Sequence, residues 1–207
     1  ARNGAEMETD TETVSAQQNT KSVKTVLVTG GCGYIGSHIL KALKMRGYRT
    51  ICVDRKRSEH VLKFADAFIQ DDCNSDWICT KLERLKPDAV IHCAANSLVG
   101  PSVSNPAEYY QNNVIGFKFL LDCMLAADIK HIVFSSSSSV YGIPNQVPVV
   151  ENDTKYPLCS YGKSKLIGEM LLEDYNTAYD LNSISFRYFN VCGADPAGEL
   201  GQLPGAT

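Results

Sequence analysis

Between Lys24 and Arg187 the chain alternates short apolar runs with stretches whose apolar residues recur every three or four positions. The runs Lys24–Thr29, Arg49–Asp54, Ala67–Ile69, Ala89–Ala94, His131–Ser135 and Ser183–Arg187 are rich in Val, Ile and Phe, and they predict six buried strands. Between them, Ile35, Ile39 and Leu43 predict a helix over 34–46 that stops at Gly47 as its C-cap. A second helix is expected over 77–85, halted before Pro87. A third should open with Asn105 as N-cap and Pro106 in its first turn and run to about Ala127. A fourth spans Ser160 to about Tyr179. Strands apolar on both faces, alternating with helices, predict right-handed βαβ units: an α/β, doubly wound parallel sheet with helices on both faces.

The boundaries follow from the same pattern. Residues 1–23 are polar and too poor in apolar side chains to join a core, so a disordered tail is expected. Residues 24–195 should form the main domain, and 196–207 the start of a further, truncated region. Composition narrows the function classes. With 44% hydrophobic and 21% charged residues, collagen, coiled coil and full-length disorder are excluded. A net charge of -3, with Arg55-Lys56-Arg57 as the densest basic run, argues against a nucleic-acid partner. No run of 18 apolar residues suggests a membrane span, and the N-terminal stretch lacks the apolar core of a signal peptide. The eight cysteines, at 32, 52, 73, 79, 93, 123, 159 and 192, form no CxxC pair and sit mostly in apolar runs. They are expected to be reduced, buried thiols in a cytoplasmic protein, with no metal site.

Candidate chemistry begins at Thr29-Gly-Gly-Cys-Gly-Tyr-Ile-Gly36, where a strand turns into a helix. Gly30 suits the tight turn, Gly33 a close approach of backbone to pyrophosphate, and Gly36 close helix–strand packing. The helix N-terminus that follows favours anions. A plain strand–helix turn would also use glycines, but Asp54 ends the second strand 18 positions after Gly36, where a carboxylate meets an adenosine ribose. The pattern predicts a Rossmann-like dinucleotide site. Asp54 favours NAD by repelling a 2′-phosphate, whereas Arg55 and Arg57 leave NADP open. Tyr161 and Lys165 lie four apart on one helix face, so the ammonium is expected to lower the phenol's pKa and make Tyr161 a general base. Ser135–Ser139 end the fifth strand, at the sheet edge where ligands bind.

Together these segments resemble the extended short-chain dehydrogenase/reductases, and within them the UDP-glucose 4-epimerase family, from about Thr25 to Pro204. The carrying segments are VTGGCGYIGSH at 28–38, HCAANSLVGPSVSNPAEYYQNNVIG at 92–116, FSSSSSVYG at 134–142, SYGKSK at 160–165 and RYFNVCGADPAG at 187–198. The resemblance implies a tightly held NAD that is reduced and reoxidised while a UDP-hexose is inverted at C4 through a 4-keto sugar. It makes Tyr161 the base, Ser137 a hydrogen-bond partner of the sugar 4-oxygen, and Lys165 a partner of Tyr161 and of the nicotinamide ribose. Asp72 would meet the adenine, and Asn112 would help hold the cofactor site. Gly30, Gly33, Tyr34, Ile35, Gly36, Asp54, Cys73, Cys93, Ala94, Ala95 and Tyr188 complete the NAD contacts. Asn190 would join Ser137 and Tyr161 on the sugar nucleotide. Related dehydratases and decarboxylases carry carboxylates where this chain has Ser138 and Ser139, which argues for epimerisation. UDP-glucuronate and UDP-N-acetylglucosamine 4-epimerases, and a non-catalytic NAD-binding module, stay open. The chain departs from many members at Ser97, where they have Lys, and at Arg55, where they have Asn. Members of the family are longer and enclose the sugar with a C-terminal part, so low turnover is expected of this chain. The resemblance also implies a homodimer through helices near 106–127 and 160–179.

Overall fold

The computed structural model describes residues 25–202; the polar stretch over 1–23 and the last five residues of 196–207 lie outside them. Six strands, β1 (Thr25–Thr29), β2 (Arg49–Asp54), β3 (Ala67–Gln70), β4 (Ala89–His92), β5 (His131–Ser137) and β6 (Asn182–Tyr188), form one sheet in the order β3-β2-β1-β4-β5-β6. Every pairing is parallel. The strand order reverses between β1 and β4, and this opens a crevice at the C-terminal ends of the strands. The helices are α1 (Tyr34–Met45), α2 (Glu59–Leu62), α3 (Asp76–Leu85), α4 (Val99–Ser104), α5 (Pro106–Tyr110), α6 (Gly116–Ala126) and α7 (Ser160–Tyr179).

Alternation along the strands sorts the core into two layers. Val26, Val28 and Cys52 turn to Leu40 of α1 and Val61 of α2. Leu27, Ile51 and Val53 turn the other way, to Ile78 and Leu82 of α3, Phe117 and Leu120 of α6, and Leu172 of α7. The sheet is thus covered on both faces, as the doubly apolar strands require. Coverage ends at β6, where Ile184 and Phe186 remain 58% and 49% exposed.

Several expectations need correcting. The helix foreseen over 106–127 is interrupted: Gln111–Ile115 form a π-helical turn between α5 and α6. Asn105 does not cap it with its side chain; its Nδ2 donates to Glu108 Oε2 at 2.6 Å instead. The serine run is half strand, because Ser135–Ser137 continue β5 in register with Phe186, Arg187 and Tyr188 of β6. The short helices α2 and α4 carry no sequence periodicity strong enough to reveal them. The thiols are not all free: Cys79 on α3 is joined to Cys123 on α6, where packing brings their Cα atoms within 4.7 Å. The other six cysteines are free. None of the described helices is long and apolar enough to cross a membrane.

Candidate active site

The glycine loop opens the site. Gly30 adopts φ +66° and accepts a hydrogen bond from the Gly33 N–H at 3.1 Å. A Cβ on Gly30 would lie 2.7 Å from the Ala94 nitrogen, and one on Gly36 would lie 2.2 Å from the Gly30 carbonyl oxygen. Gly36 therefore lets α1 start directly against the turn. Gly33 is the N-cap of α1 and offers no side chain to its first N–H groups. Those groups have no intrahelical acceptor and face the crevice with the positive end of the helix dipole.

Asp54, at the end of β2, lies beside this loop. Its Oδ2 accepts from the Cys32 N–H at 3.0 Å and its Oδ1 from the Lys56 N–H at 2.9 Å. Of the two arginines that left NADP open, Arg55 lines the same cavity as Asp54 and Arg57 does not. Arg55 pairs with Asp72 at 3.6 Å, while Arg57 bonds Glu59 and lies over the Phe68 ring. The π turn adds a clamp on the other side of the crevice. Buried Asn113 accepts from the Asn96 N–H and donates to the Asn96 carbonyl and to Ser164 Oγ, which fixes the loop after β4 to α7. Asn112 donates to Asn113 and faces the cavity.

Helix α7 places Tyr161 and Lys165 one turn apart. Lys165 is fully buried, and its Nζ donates to the Ser135 carbonyl at 2.8 Å, 6.0 Å from the Tyr161 ring centre. Burial pulls its ammonium down to about 8, against some opposition from the Cys93 and Cys73 thiols. Burial moves Tyr161 the other way, above the usual phenol value; the Ser137 hydrogen bond lowers it, and the neighbouring Cys159 and Tyr109 raise it. The expectation that Lys165 lowers Tyr161 is therefore not met in the ligand-free chain: burial dominates, and Lys165 Nζ stays 6.0 Å from the ring centre while it donates to the Ser135 carbonyl. A phenol in this setting holds its proton at neutral pH.

A buried, depressed lysine has a stability signature. The folded chain gives up the Lys165 proton near pH 8, the unfolded chain near 10.5, so this group destabilises the fold below pH 8 and the penalty fades as pH rises towards 10.5. Lys165→Met is expected to melt higher than the parent at pH 7, with the difference shrinking between pH 8 and 10 in calorimetric scans. A Tm difference constant over that range would contradict the assignment.

One cavity of about 670 Å³ gathers these groups. Gly30, Gly33, Tyr34, Ile35, Gly36, Asp54, Asp72, Cys73, Cys93, Ala94, Ala95, Asn112, Ser137, Tyr161, Lys165, Tyr188 and Asn190 all line it. Ser97, Ser138 and Ser139, the positions of departure and of discrimination, line it too. Asp71, Lys56, Phe189, Val191 and Gln202 also line it, without having been singled out in the sequence. Asp71 next to Asp72, and Phe189 and Val191 on either side of Asn190, could have been found by adjacency.

A six-stranded parallel sheet in this order, with a glycine turn, a ribose-type carboxylate and a Tyr–Lys pair on one crevice, defines a dinucleotide-dependent oxidoreductase-type domain. The profile of the NAD dependent epimerase/dehydratase family matches residues 26–204, and the chain belongs to that family. It is 45% identical to the UDP-glucose 4-epimerase of Halalkalibacterium halodurans, over 86% of this chain and 54% of the relative. With the UDP-glucose 4-epimerase of Azospirillum brasilense it shares 42% identity, over 86% and 52%. The crystal structure of UDP-glucose 4-epimerase from Brucella ovis in complex with NAD superposes with a TM-score of 0.84 at 40% identity, covering 87% of this chain and 56% of that one. A structure from Bifidobacterium longum, in complex with NAD+ and UDP, gives 0.80 at 36%, covering 86% and 57%. The chain spans about half the length of the curated relatives it matches.

Proposed function

We propose that this chain binds NAD and carries the redox half of a C4 epimerisation of a UDP-hexose, the interconversion of UDP-glucose and UDP-galactose. The observation that carries the reading is the convergence of the α1 N-terminus, Asp54, Ser137 and Tyr161 on one cavity. The cavity suits NAD. Uncapped N–H groups at Tyr34–Gly36 would hold the pyrophosphate, Asp54 the adenosine ribose, and Asp72 the adenine end. Gly33 leaves space beside the phosphates, since a Cβ there would meet nothing nearer than the Gly30 carbonyl at 3.2 Å.

When bound, NAD supplies a hydride acceptor whose ring is cationic while oxidised. The chain's own residues manage the proton and the geometry. Ser137 holds the sugar 4-oxygen, and Tyr161, once ionised, takes the 4-OH proton while the C4 hydrogen leaves with its electron pair. After the 4-keto sugar has turned over, Tyr161 would give the proton back to its 4-oxygen, with Ser137 still holding that atom. Lys165 holds the Ser135 carbonyl and would meet the nicotinamide ribose. Asn190 would contact the sugar nucleotide. Ser138 and Ser139 supply no carboxylate for removing water or carbon dioxide, which favours epimerisation. Conversion of UDP-galactose to UDP-glucose by the chain with NAD, followed by chromatography, tests the reading. A chain that binds NAD yet forms neither reduced nicotinamide nor UDP-glucose would refute it.

Cofactor choice gives a second check. Arg55 and Lys56 line the ribose end of the cavity with Asp71 and Asp72, so the preference rests on the Asp54 carboxylate, and NAD should bind about tenfold more tightly than NADP. Asp54→Ala should weaken NAD by about tenfold and narrow that preference, as measured by calorimetric titration. Equal affinities in the parent would contradict the assignment of Asp54.

The domain division at residue 195, a homodimer and a cytoplasmic setting belong to the same proposal. Ile115 and Met170, on the helices that family resemblance assigns to a dimer, are 54% and 55% exposed. Free thiols at Cys32 and Cys52, unjoined at 3.8 Å, support a reducing compartment. The Cys79–Cys123 bond points the other way.

A further inference from the structure

Tyr161, Lys165 and Glu169 follow one another at steps of four along α7 and form a single stripe facing β5. Each meets a different serine of the strand end. The Ser137 hydroxyl sits near enough to Tyr161 to draw its pKa down, and both line the cavity. Lys165 Nζ donates to the Ser135 carbonyl at 2.8 Å, and Ser136 Oγ donates to Glu169 Oε1 at 2.5 Å. The first two contacts belong to the chemistry proposed above; Glu169 has no part in it.

Glu169 is nevertheless a buried carboxylate, its side chain 6% exposed, and a charge there is costly unless paired. Its partner is Arg187, whose Nε donates to both carboxylate oxygens at 3.0 and 3.2 Å and whose Nη2 donates to Oε2 at 2.7 Å. Arg187 Nη1 also donates to the Tyr141 hydroxyl and the Glu151 carbonyl, both at 2.8 Å. Arg187 stands opposite Ser136 in the β5–β6 register. One carboxylate thus ties the C-terminal ends of β5 and β6, and the turn that follows β5, to the helix bearing Tyr161. Among the described residues β6 is an edge strand, with β5 as its only neighbour in the sheet. Tyr188 and Ser137, one residue beyond each anchor, line the cavity.

We propose that Glu169, paired with Arg187, is a positioning residue that sets, through Ser136, the register in which Ser137 meets Tyr161. The inference rests on the reading of Tyr161 as the base. A pair present only for stability would behave differently, since a buried ion pair can be replaced by apolar side chains of similar volume without loss of stability.

The test follows Tyr161 itself in the full, ligand-free chain labelled with 3-fluorotyrosine, whose phenol ionises at lower pH than tyrosine's. Its fluorine resonance is assigned by its absence in Tyr161→Phe and titrated with pH. The groups acting on it are Lys165, Ser137, Cys159 and Tyr109, and none is altered in the variants. Glu169→Met combined with Arg187→Met should keep Tm within a few degrees but raise the Tyr161 midpoint by about one pH unit, the worth of one hydrogen bond. Ser136→Ala, which leaves the ion pair intact, should give the same rise. Glu169→Gln keeps an acceptor for Ser136 and should titrate like the parent. A parent-like midpoint in Ser136→Ala overturns the proposal, whether or not the double variant folds. The titration needs neither NAD nor sugar, so a failure of the proposed function would show separately, as absent NAD binding.

Discussion

Tyr161→Phe is expected to lower sugar-driven reduction of bound NAD by about 10²–10⁴-fold, the usual worth of a positioned general base. The substitution removes one oxygen and keeps the ring, which sits half-buried beside Ser137 and Lys165. NAD affinity and Tm should stay close to the parent's, because the cofactor's phosphates and adenosine end rest on α1 and Asp54. Stopped-flow absorbance of reduced nicotinamide after addition of UDP-galactose measures the rate. The same burial that shapes the pocket raises the phenol's pKa, so in the parent the rate should climb with pH until Tyr161 ionises. That pH dependence should vanish in the variant. A Tyr161→Phe rate within a few-fold of the parent would remove Tyr161 from the chemistry.

Gly36→Ala should be strongly damaging, although it adds a single methyl. Its Cβ would fall 2.2 Å from the Gly30 carbonyl oxygen and 2.8 Å from the Gly31 Cα, all backbone that cannot rotate away. Gly30 is itself pinned, with φ +66° on one side and the Ala94 backbone on the other. Relief therefore requires α1 to withdraw from β1, opening the layer that Leu40 fills. A loss on the order of 3 kcal/mol or more is expected in chemical denaturation, with NAD binding abolished. Gly47→Ala is the control. Gly47 has φ +80° but nothing within 4 Å of its Cβ position, so only the left-handed backbone term applies, about 1–2 kcal/mol, and NAD binding should survive. Similar costs at both positions would mean that the close packing of α1 on the turn is not what Gly36 provides.

What was legible in the sequence was local. The glycine turn, Asp54 at the end of β2 and the Tyr161–Lys165 spacing each depend on a few neighbouring residues, and the parallel, two-sided sheet followed from doubly apolar strands. The parts that escaped depend on contacts between distant segments. Serine has little strand preference, yet Ser135–Ser137 extend β5 because β6 pairs with them and Glu169 takes the Ser136 hydroxyl. The π turn at Gln111–Ile115 is fixed by Asn113 reaching Asn96 and Ser164, contacts 17 and 51 residues away in the chain. The ionisation of Tyr161 differs from the expectation for the same reason: spacing put Lys165 on the right face but could not show the burial of the phenol or the Lys165 hydrogen bond to the Ser135 carbonyl. Glu169 was within reach, since it repeats the step of four that singled out Lys165, but its partner Arg187 lies on another strand.

The most direct test is calorimetric titration of the chain with NAD, beside Gly33→Val, followed by UDP-galactose while the absorbance of reduced nicotinamide is watched. A Cβ on Gly33 would meet only the Gly30 carbonyl, at 3.2 Å, a tight contact relieved by a shift of a few tenths of an ångström, so the variant should fold while its side chain occupies the space assigned to the phosphates. The expected result is one NAD per chain, binding lost in Gly33→Val, and absorbance appearing with the sugar nucleotide. Absent heat in the folded parent, or equal affinity in the variant, would contradict the placement of NAD on this crevice.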